Sequence, residues 1–207
     1  MRHLFGMGDS ISHGYHPYLE KLLPPDIAYT RQSGEPGDPD NPTGHSANSG
    51  NSSMVLDYLT RRLQEQDFQP DYLLLNCGLH DLRQDIHTKA FAIPPEQYRT
   101  NLMAICDALE RRQIGLIWIN TTPVDDETHR KHMQEFQRRD ENVLRYNQIA
   151  EDVVSDFAAL TIDLYAFTHI VGAIGVTLYA DHVHFEKEVS RLQAAYIAGM
   201  LTAFFDV

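Results

Sequence analysis

The chain has 207 residues, of which 43% are hydrophobic and 22% are charged, and its formal net charge is −12. This length fits one α/β domain, and we expect a single domain over residues 1–207. Because the chain is acidic and has no basic cluster, we expect neither nucleic acid nor an anionic membrane among its partners. No apolar run reaches the roughly 18–20 residues that a membrane span needs.

The amino-terminal residues and the cysteines bear on location. Residues 1–8 enter a strand-like run without the apolar stretch and cleavage site of a secretory signal. Cys77 and Cys106 are isolated thiols without metal-ligand spacing, which is typical of packed residues in a reducing compartment. We therefore expect a cytoplasmic protein.

Strand-like apolar runs alternate along the chain with apolar residues at helical spacing. The run 71–77 is apolar without alternation, as expected when both faces of a sheet are covered. Strand–helix alternation indicates a parallel sheet between helix layers, with the carboxyl ends of the strands at one edge, where ligands bind. We expect Ser52 or Ser53 to cap the first periodic helix. In chain order the predicted elements are strand 4–7, strand 27–29, helix 53–64, strand 71–77, helix 95–112, strand 115–120, helix 142–157, strand 159–163 and helix 186–205.

Two segments lack this periodicity. Residues 31–51 are rich in Gly, Pro, Asn, Asp and Ser, which indicates a long loop of the kind that is usually functional or mobile. Residues 124–140 are highly charged, and we interpret them as an exposed, partly helical excursion with a solvated face. We expect both segments to shape the substrate pocket.

Ser10 is a candidate nucleophile. It follows an apolar strand and a glycine, so it is predicted to lie at the edge of the sheet where sites form. A serine hydroxyl is a weak nucleophile unless a base accepts its proton and a third group orients that base. The alternative is that Asp9 and Ser10 only cap a helix and stabilise a turn.

Asp181 and His184 could supply the base and the orienting group. A carboxylate three residues before a histidine can hold one imidazole nitrogen and leave the other facing a nucleophile. Asp126 and His129 repeat the spacing, but they lie in the charged excursion with no preceding strand, so we favour the first pair. His182 remains a rival for the base.

Two residues could stabilise an oxyanion. Gly50 precedes a predicted helix, so its backbone N–H could point at a bound anion. His80 follows the strongest strand, and a ring N–H could donate to the same anion. The alternatives are a glycine that only permits a turn and a structural histidine.

Taken together, four segments resemble the sequence blocks of the SGNH (GDSL-type) hydrolases in order and spacing. They are Gly8-Asp9-Ser10, Gly50 before Ser52 and Ser53, Gly78-Leu79-His80-Asp81, and Asp181 with His184. Residues 146–163 are also similar to the helix and strand before the last block. The resemblance implies an α/β class, with a flavodoxin-like parallel sheet in a three-layer α/β/α fold.

The same resemblance implies roles for these residues. Ser10 would be the nucleophile and an oxyanion donor through its backbone N–H, with Gly50 as a second donor. His184 would be the base and Asp181 its orienting acid. The chain departs from the family at His80, where the third block usually has an asparagine whose amide donates to the oxyanion. An imidazole N–H can replace that donor, but its donation depends on tautomer and protonation.

The expected function is therefore a serine esterase that hydrolyses small carboxylic esters, with short-chain acyl or acetyl esters favoured, through an acyl-enzyme. We expect no cofactor and no metal. Residues beside the proposed site are expected to line its pocket, namely Asp9, Tyr15, His16, Asp81 and His182.

Two other functions remain open from the sequence. His80, Asp81, Asp181, His182 and His184 could converge to bind Zn²⁺ or Mn²⁺ in a metal-dependent hydrolase, although their spacing matches no metal motif. The altered third block could instead indicate a catalytically weak binding module on the same scaffold, because a fold does not determine a function.

Overall fold

A parallel sheet organises the computed structural model, which describes residues 1–33 and 47–206. Five strands pair in the order β2-β1-β3-β5-β7, all parallel, and the short strands β4 and β6 form a separate antiparallel pair. The elements in chain order are β1 (Arg2–Met7), α1 (Ser10–Leu22), β2 (Ile27–Arg31), α2 (Ser52–Arg62), β3 (Tyr72–Asn76), β4 (Gln84–Asp85), α3 (Pro95–Arg111), β5 (Gly115–Ile119), α4 (Asp126–His132), β6 (Phe136–Gln137), α5 (Asp140–Val154), β7 (Ala158–Ile162), α6 (Leu164–Ala173) and α7 (Lys187–Phe205).

Burial of the central strands explains their apolar sequences. In β3 and β5 most side chains are buried, because helices cover both faces of the sheet. Helices α1, α6 and α7 pack together in one group, and α2, α3 and α5 pack in another. Trp118, inside β5, is fully buried. This α/β architecture confirms the predicted fold class.

Every predicted element is present, and the predicted bounds differ from the observed ones only at the ends. All five predicted strands and all four predicted helices are found. Helix α1 begins where Asp9 and Ser10 offered a helix cap as an alternative, and α6 was not anticipated. The expected cap of α2 is wrong. Asn51 is the N-cap, because its side chain accepts a hydrogen bond from the Met54 N–H, and Ser52 is already helical.

The charged excursion is more buried than its sequence suggested. It forms α4 and β6, and β6 pairs with β4. His129 and Arg138 are 0% and 6% exposed, so a wholly solvated face is the wrong interpretation. Of the long loop at 31–51, residues 34–46 lie outside the described residues. Within the described part of the chain, no helix has the length and apolar character needed to cross a membrane.

Candidate active site

Three side chains from the two ends of the chain meet at the carboxyl edge of the sheet. Nε2 of His184 lies 2.9 Å from Oγ of Ser10, and Nδ1 of His184 lies 2.7 Å from Oδ2 of Asp181. With Nδ1 protonated, the imidazole donates to the carboxylate and can accept the serine proton at Nε2. The sequence-predicted trio therefore lies within hydrogen-bond distance in one line.

The first residues of α1 hold Ser10 in place. Asp9 is the N-cap, and its carboxylate accepts a hydrogen bond from the Ile11 N–H, so Ser10 begins the helix. A backbone N–H in the first turn of a helix has no intrahelical partner and is available to an anion. Burial raises the pKa of Asp9 above its ordinary value, although the Ile11 N–H lowers it. The buried Asp9 side chain thus stabilises the backbone turn that carries Ser10.

Asp181 is held as a carboxylate by its own loop. Its Oδ1 accepts hydrogen bonds of 2.7 Å from the backbone N–H groups of both Val183 and His184. Partial burial raises the pKa of Asp181, but these hydrogen bonds and that of the His184 ring outweigh it and lower the pKa to about 2. Asp181 is therefore ionised at neutral pH and keeps the imidazole oriented.

Gly50 has the backbone conformation expected of a special turn, but its N–H already has a partner. Its φ is +69°, a region that favours glycine, and its N–H donates to Oδ1 of Asn48 over 2.9 Å. The loop is joined to the nucleophile turn because the Gly8 N–H donates to Oγ of Ser49 and the Ser49 N–H donates to the Gly8 carbonyl. The Asn48 side chain must turn away before the Gly50 N–H can serve a substrate.

His80 faces the same space as Ser10. Burial, with the positive charges of Arg138 and Arg83 acting in the same direction, lowers the pKa of His80 to about 4. The imidazole is therefore neutral at neutral pH and offers one ring N–H as a donor.

A cavity of about 450 Å³ opens above these groups. Most of its lining residues are polar or basic, although carbon atoms make up more of the exposed wall than polar atoms do. A larger depression of about 910 Å³ lies at the opposite edge of the sheet, beside Arg2, Tyr72 and Gly115 at the strand starts, far from Ser10. The lining residues of the smaller cavity are Ser10, His13, Asn48, His80, Phe136, Arg138, His182, Val183 and His184.

Four of the expected pocket residues do not line this cavity. Tyr15 is 2% exposed in the core, and His16 packs against the ring of Tyr29, because both positions point away from the helix face that carries Ser10. Asp9 and Asp81 are buried below the site. The structure therefore places these four residues outside the wall of this cavity.

Asp81 has a different position from the one expected. Its carboxylate accepts hydrogen bonds from the backbone N–H and the hydroxyl of Ser52, in the first turn of α2. Ser52 Oγ also accepts from Nδ2 of Asn101 in α3. Burial raises the pKa of Asp81 to about 6, partly offset by the Ser52 hydrogen bonds. Asp81 connects the end of β3 to the helix that follows Gly50.

His182 does line the cavity, but it is not the imidazole on Ser10. Its Nδ1 is 3.9 Å from Asp181, and its ring packs edge-on against His129 and nearly parallel to His132. In the residues that the structure describes, no group of three or more His, Cys, Asp or Glu side chains is arranged to hold a metal ion. The alternative of a metal-dependent hydrolase has no ligand set in that part of the chain.

Sequence reasoning missed several residues of the cavity wall. His13 lies one helical turn after Ser10, so the i,i+3 spacing could have identified it. Asn48 could have been identified because it lies in the loop that carries Gly50. Phe136 and Arg138 gave no local signal, because they reach the site only through the pairing of β4 with β6.

Comparisons with known proteins bear on the family and the fold. Residues 7–192 match the GDSL-like lipase/acylhydrolase family. No curated protein matches the chain. Among similar solved structures, a psychrotrophic esterase from Pseudoalteromonas sp. has 13% identity and a TM-score of 0.67, with 100% of both chains covered. A lipase/acylhydrolase from Enterococcus faecalis has 19% identity and a TM-score of 0.67, covering 98% of this chain and 96% of its own. An acetylxylan esterase from Geobacillus stearothermophilus has 14% identity and a TM-score of 0.66, covering 100% and 94%.

Proposed function

Because this chain belongs to the GDSL-like lipase/acylhydrolase family, we propose that it hydrolyses small carboxylic esters with a short acyl or acetyl group. It is a serine hydrolase that acts on ester bonds. A short acyl chain is supported by the lining residues, because only Phe136 and Val183 are apolar residues and the other seven carry polar or basic groups. A long alkyl chain would place part of its apolar surface against these polar groups.

The proposed mechanism is acyl transfer through Ser10. Its hydroxyl oxygen attacks the ester carbonyl while Nε2 of His184 takes the hydroxyl proton, and the Asp181 carboxylate stabilises the imidazolium. Collapse of the tetrahedral intermediate breaks the bond to the alcohol oxygen, which leaves with the proton from His184. Water then attacks the acyl-enzyme with the same base and releases the carboxylic acid. The observation that carries the proposal is the 2.9 Å contact between Ser10 Oγ and His184 Nε2.

Three donors are proposed for the oxyanion. The Ser10 N–H is in the first turn of α1, the neutral His80 ring supplies one N–H, and the Gly50 N–H joins them when Asn48 turns away. Preorganised donors of this kind stabilise the charge that develops on the carbonyl oxygen.

The test is the Ser10→Ala variant. We expect kcat on p-nitrophenyl acetate to fall by at least ~10³-fold, because the nucleophile is lost while the fold is kept. Ser155→Ala, at an exposed serine after α5, is the control and should retain wild-type kcat. After reaction with a fluorophosphonate, which releases HF, wild type but not Ser10→Ala should gain the mass of one phosphonyl group. Undiminished hydrolysis by Ser10→Ala would contradict the proposal, and faster turnover of long-chain than of short-chain esters would contradict the acyl-length part.

We also propose a single domain over residues 1–207 and a cytoplasmic location. In residues 1–33 and 47–206, one core of buried hydrophobic side chains forms against one five-stranded sheet, which supports the first. Cys77 and Cys106 are buried free thiols, and such thiols suit a reducing compartment.

A further inference from the structure

A buried guanidinium forms part of the wall of the active-site cavity. Arg138 is 6% exposed and lines the same cavity as Ser10 and His184. Its Nε donates a 2.9 Å hydrogen bond to the Leu79 carbonyl, and its Nη1 donates a 3.2 Å hydrogen bond to Nε2 of His129. These contacts fix the plane of the guanidinium beside the loop that carries His80.

Both hydrogen-bond partners that Arg138 has among the described residues are uncharged. One is a peptide carbonyl, and the other must be a neutral imidazole, because only an unprotonated Nε2 can accept. Burial lowers the pKa of His129 to about 4, with Arg138 acting in the same direction, so this ring is neutral at neutral pH. Arg138 forms no ion pair with any carboxylate among the described residues, and its Nη2 makes no hydrogen bond with them.

A second arginine increases the positive charge at this place. The guanidinium groups of Arg138 and Arg83 lie 5.1 and 5.3 Å from the centre of the Phe136 ring. Burial and the charge of Arg83 lower the pKa of Arg138 to about 10, with Asp9 opposing them, so Arg138 remains charged at neutral pH. This local charge stands against a net charge of −12 for the chain, so it is a feature of the site and not of the general surface.

Asp9 is the carboxylate that acts on Arg138 from a distance, and no carboxylate of the described residues is in ion-pair contact with it. A buried cation without such a contact is costly, and that cost is recovered when an anion binds against it. The donors left on the guanidinium form a planar fork that matches a carboxylate or a phosphate. We propose that Arg138 is a specificity-determining residue that binds an anionic group of the substrate, so that the esters hydrolysed here carry a negative charge near the scissile bond. This inference deepens the proposed esterase function and rests on it.

The negative charge could lie on the acyl side or on the alcohol side of the ester, and two matched substrate pairs distinguish these positions. Monoethyl succinate carries the negative charge on its acyl side, and ethyl levulinate is its neutral counterpart. Para-acetoxybenzoate and its neutral methyl ester place it on the alcohol side. We expect the wild-type kcat/KM to favour the anionic member of at least one pair by roughly 10- to 100-fold, as for a hydrogen bond to a charged group.

Variants test whether Arg138 causes that preference. Arg138→Gln should lose at least ~10 times more kcat/KM on the preferred anionic ester than on its neutral partner. Arg138→Lys keeps the charge without the fork and should retain part of the preference. Arg139→Gln is the matched control, because Arg139 is exposed and pairs with Glu141, and it should keep the full preference.

Three outcomes would overturn the inference while leaving the esterase proposal intact. Wild type could favour the neutral ester in both pairs, a measurement that does not depend on any variant folding. Arg138→Gln could lower kcat/KM equally on charged and neutral esters, which would place Arg138 in the reaction itself. Arg139→Gln could remove the preference to the same extent. Hydrolysis of all four esters by Ser10→Ala would instead contradict the esterase proposal.

Discussion

His80 occupies the position at which the family that the chain resembles usually has an asparagine. The surroundings of His80 determine its protonation state and therefore its hydrogen-bond donors. Burial and two nearby arginines keep the ring neutral, so it presents one N–H throughout the neutral pH range. A charged imidazolium would place a further cation beside Arg138 and Arg83, which explains why the proton is disfavoured. The substitution therefore exchanges an amide donor for an imidazole donor of longer reach.

We predict that His80→Ala lowers kcat on p-nitrophenyl acetate by ~10²–10³-fold, because one oxyanion donor is removed. His80→Asn should recover at least part of this loss, since an amide N–H can serve the same oxygen. Steady-state kinetics of the three proteins provides the measurement. Wild-type kcat in His80→Ala would show that His80 gives no such hydrogen bond.

At the scale of elements, the site depends on how α2 is attached to the end of β3. The buried carboxylate of Asp81 accepts two hydrogen bonds from Ser52 at the amino terminus of α2, where negative charge is favoured by the helix dipole. Ser52 is in turn bound to Asn101 of α3. Because Gly50 precedes this helix directly, any movement of α2 displaces the proposed Gly50 donor.

We predict that Asp81→Ala reduces the free energy of unfolding by about 1–3 kcal/mol, because the N–H and hydroxyl of Ser52 lose a buried acceptor. The same variant should also lower kcat on short esters. Asp57→Ala, at an exposed position of the same helix, serves as the control and should change neither quantity. Urea denaturation and ester kinetics measure the two effects. Unchanged stability of Asp81→Ala would contradict this account.

Across the whole molecule, buried titratable groups make stability depend on pH. Burial lowers the pKa values of His16, His80 and His129 to about 4. The unfolded chain protonates histidines below about 6.5, whereas these folded residues resist protonation until about 4, so the free energy of unfolding falls as pH decreases between these values. Asp81 acts in the opposite direction, because its folded pKa is raised to about 6, and Asp9 shares that sign.

The three histidines outnumber the two carboxyls, so we predict a lower free energy of unfolding at about pH 5 than at about pH 7. His16→Gln should reduce this difference, because one depressed histidine is removed. His87→Gln, at an exposed position, should leave the difference unchanged. Urea denaturation of the three proteins at both pH values measures the effect. Equal wild-type stability at the two values would show that other groups cancel the histidine contribution.

Much of the architecture follows from local sequence. The apolar run in β3 predicts a strand covered on both faces, and the structure buries it in the middle of the sheet. Gly8-Asp9-Ser10 and Asp181-His182-Val183-His184 were recognisable because short turns at strand and helix ends require particular residues in particular order. Hydrophobic periodicity and turn chemistry depend on a few neighbouring residues, so they can be recognised from the sequence alone.

Other features arose only when distant segments met. The sequence alone was enough to predict that His184 is the base for Ser10 and to identify the family resemblance. Only the tertiary structure shows that Arg138 and Phe136 line the cavity and that Tyr15 lies in the core. It also shows that the Asp81 carboxylate accepts a hydrogen bond from Ser52. Strand pairing between β4 and β6 and the rotation of α1 on the sheet depend on long-range packing, whose free energy is not encoded in any one stretch of residues.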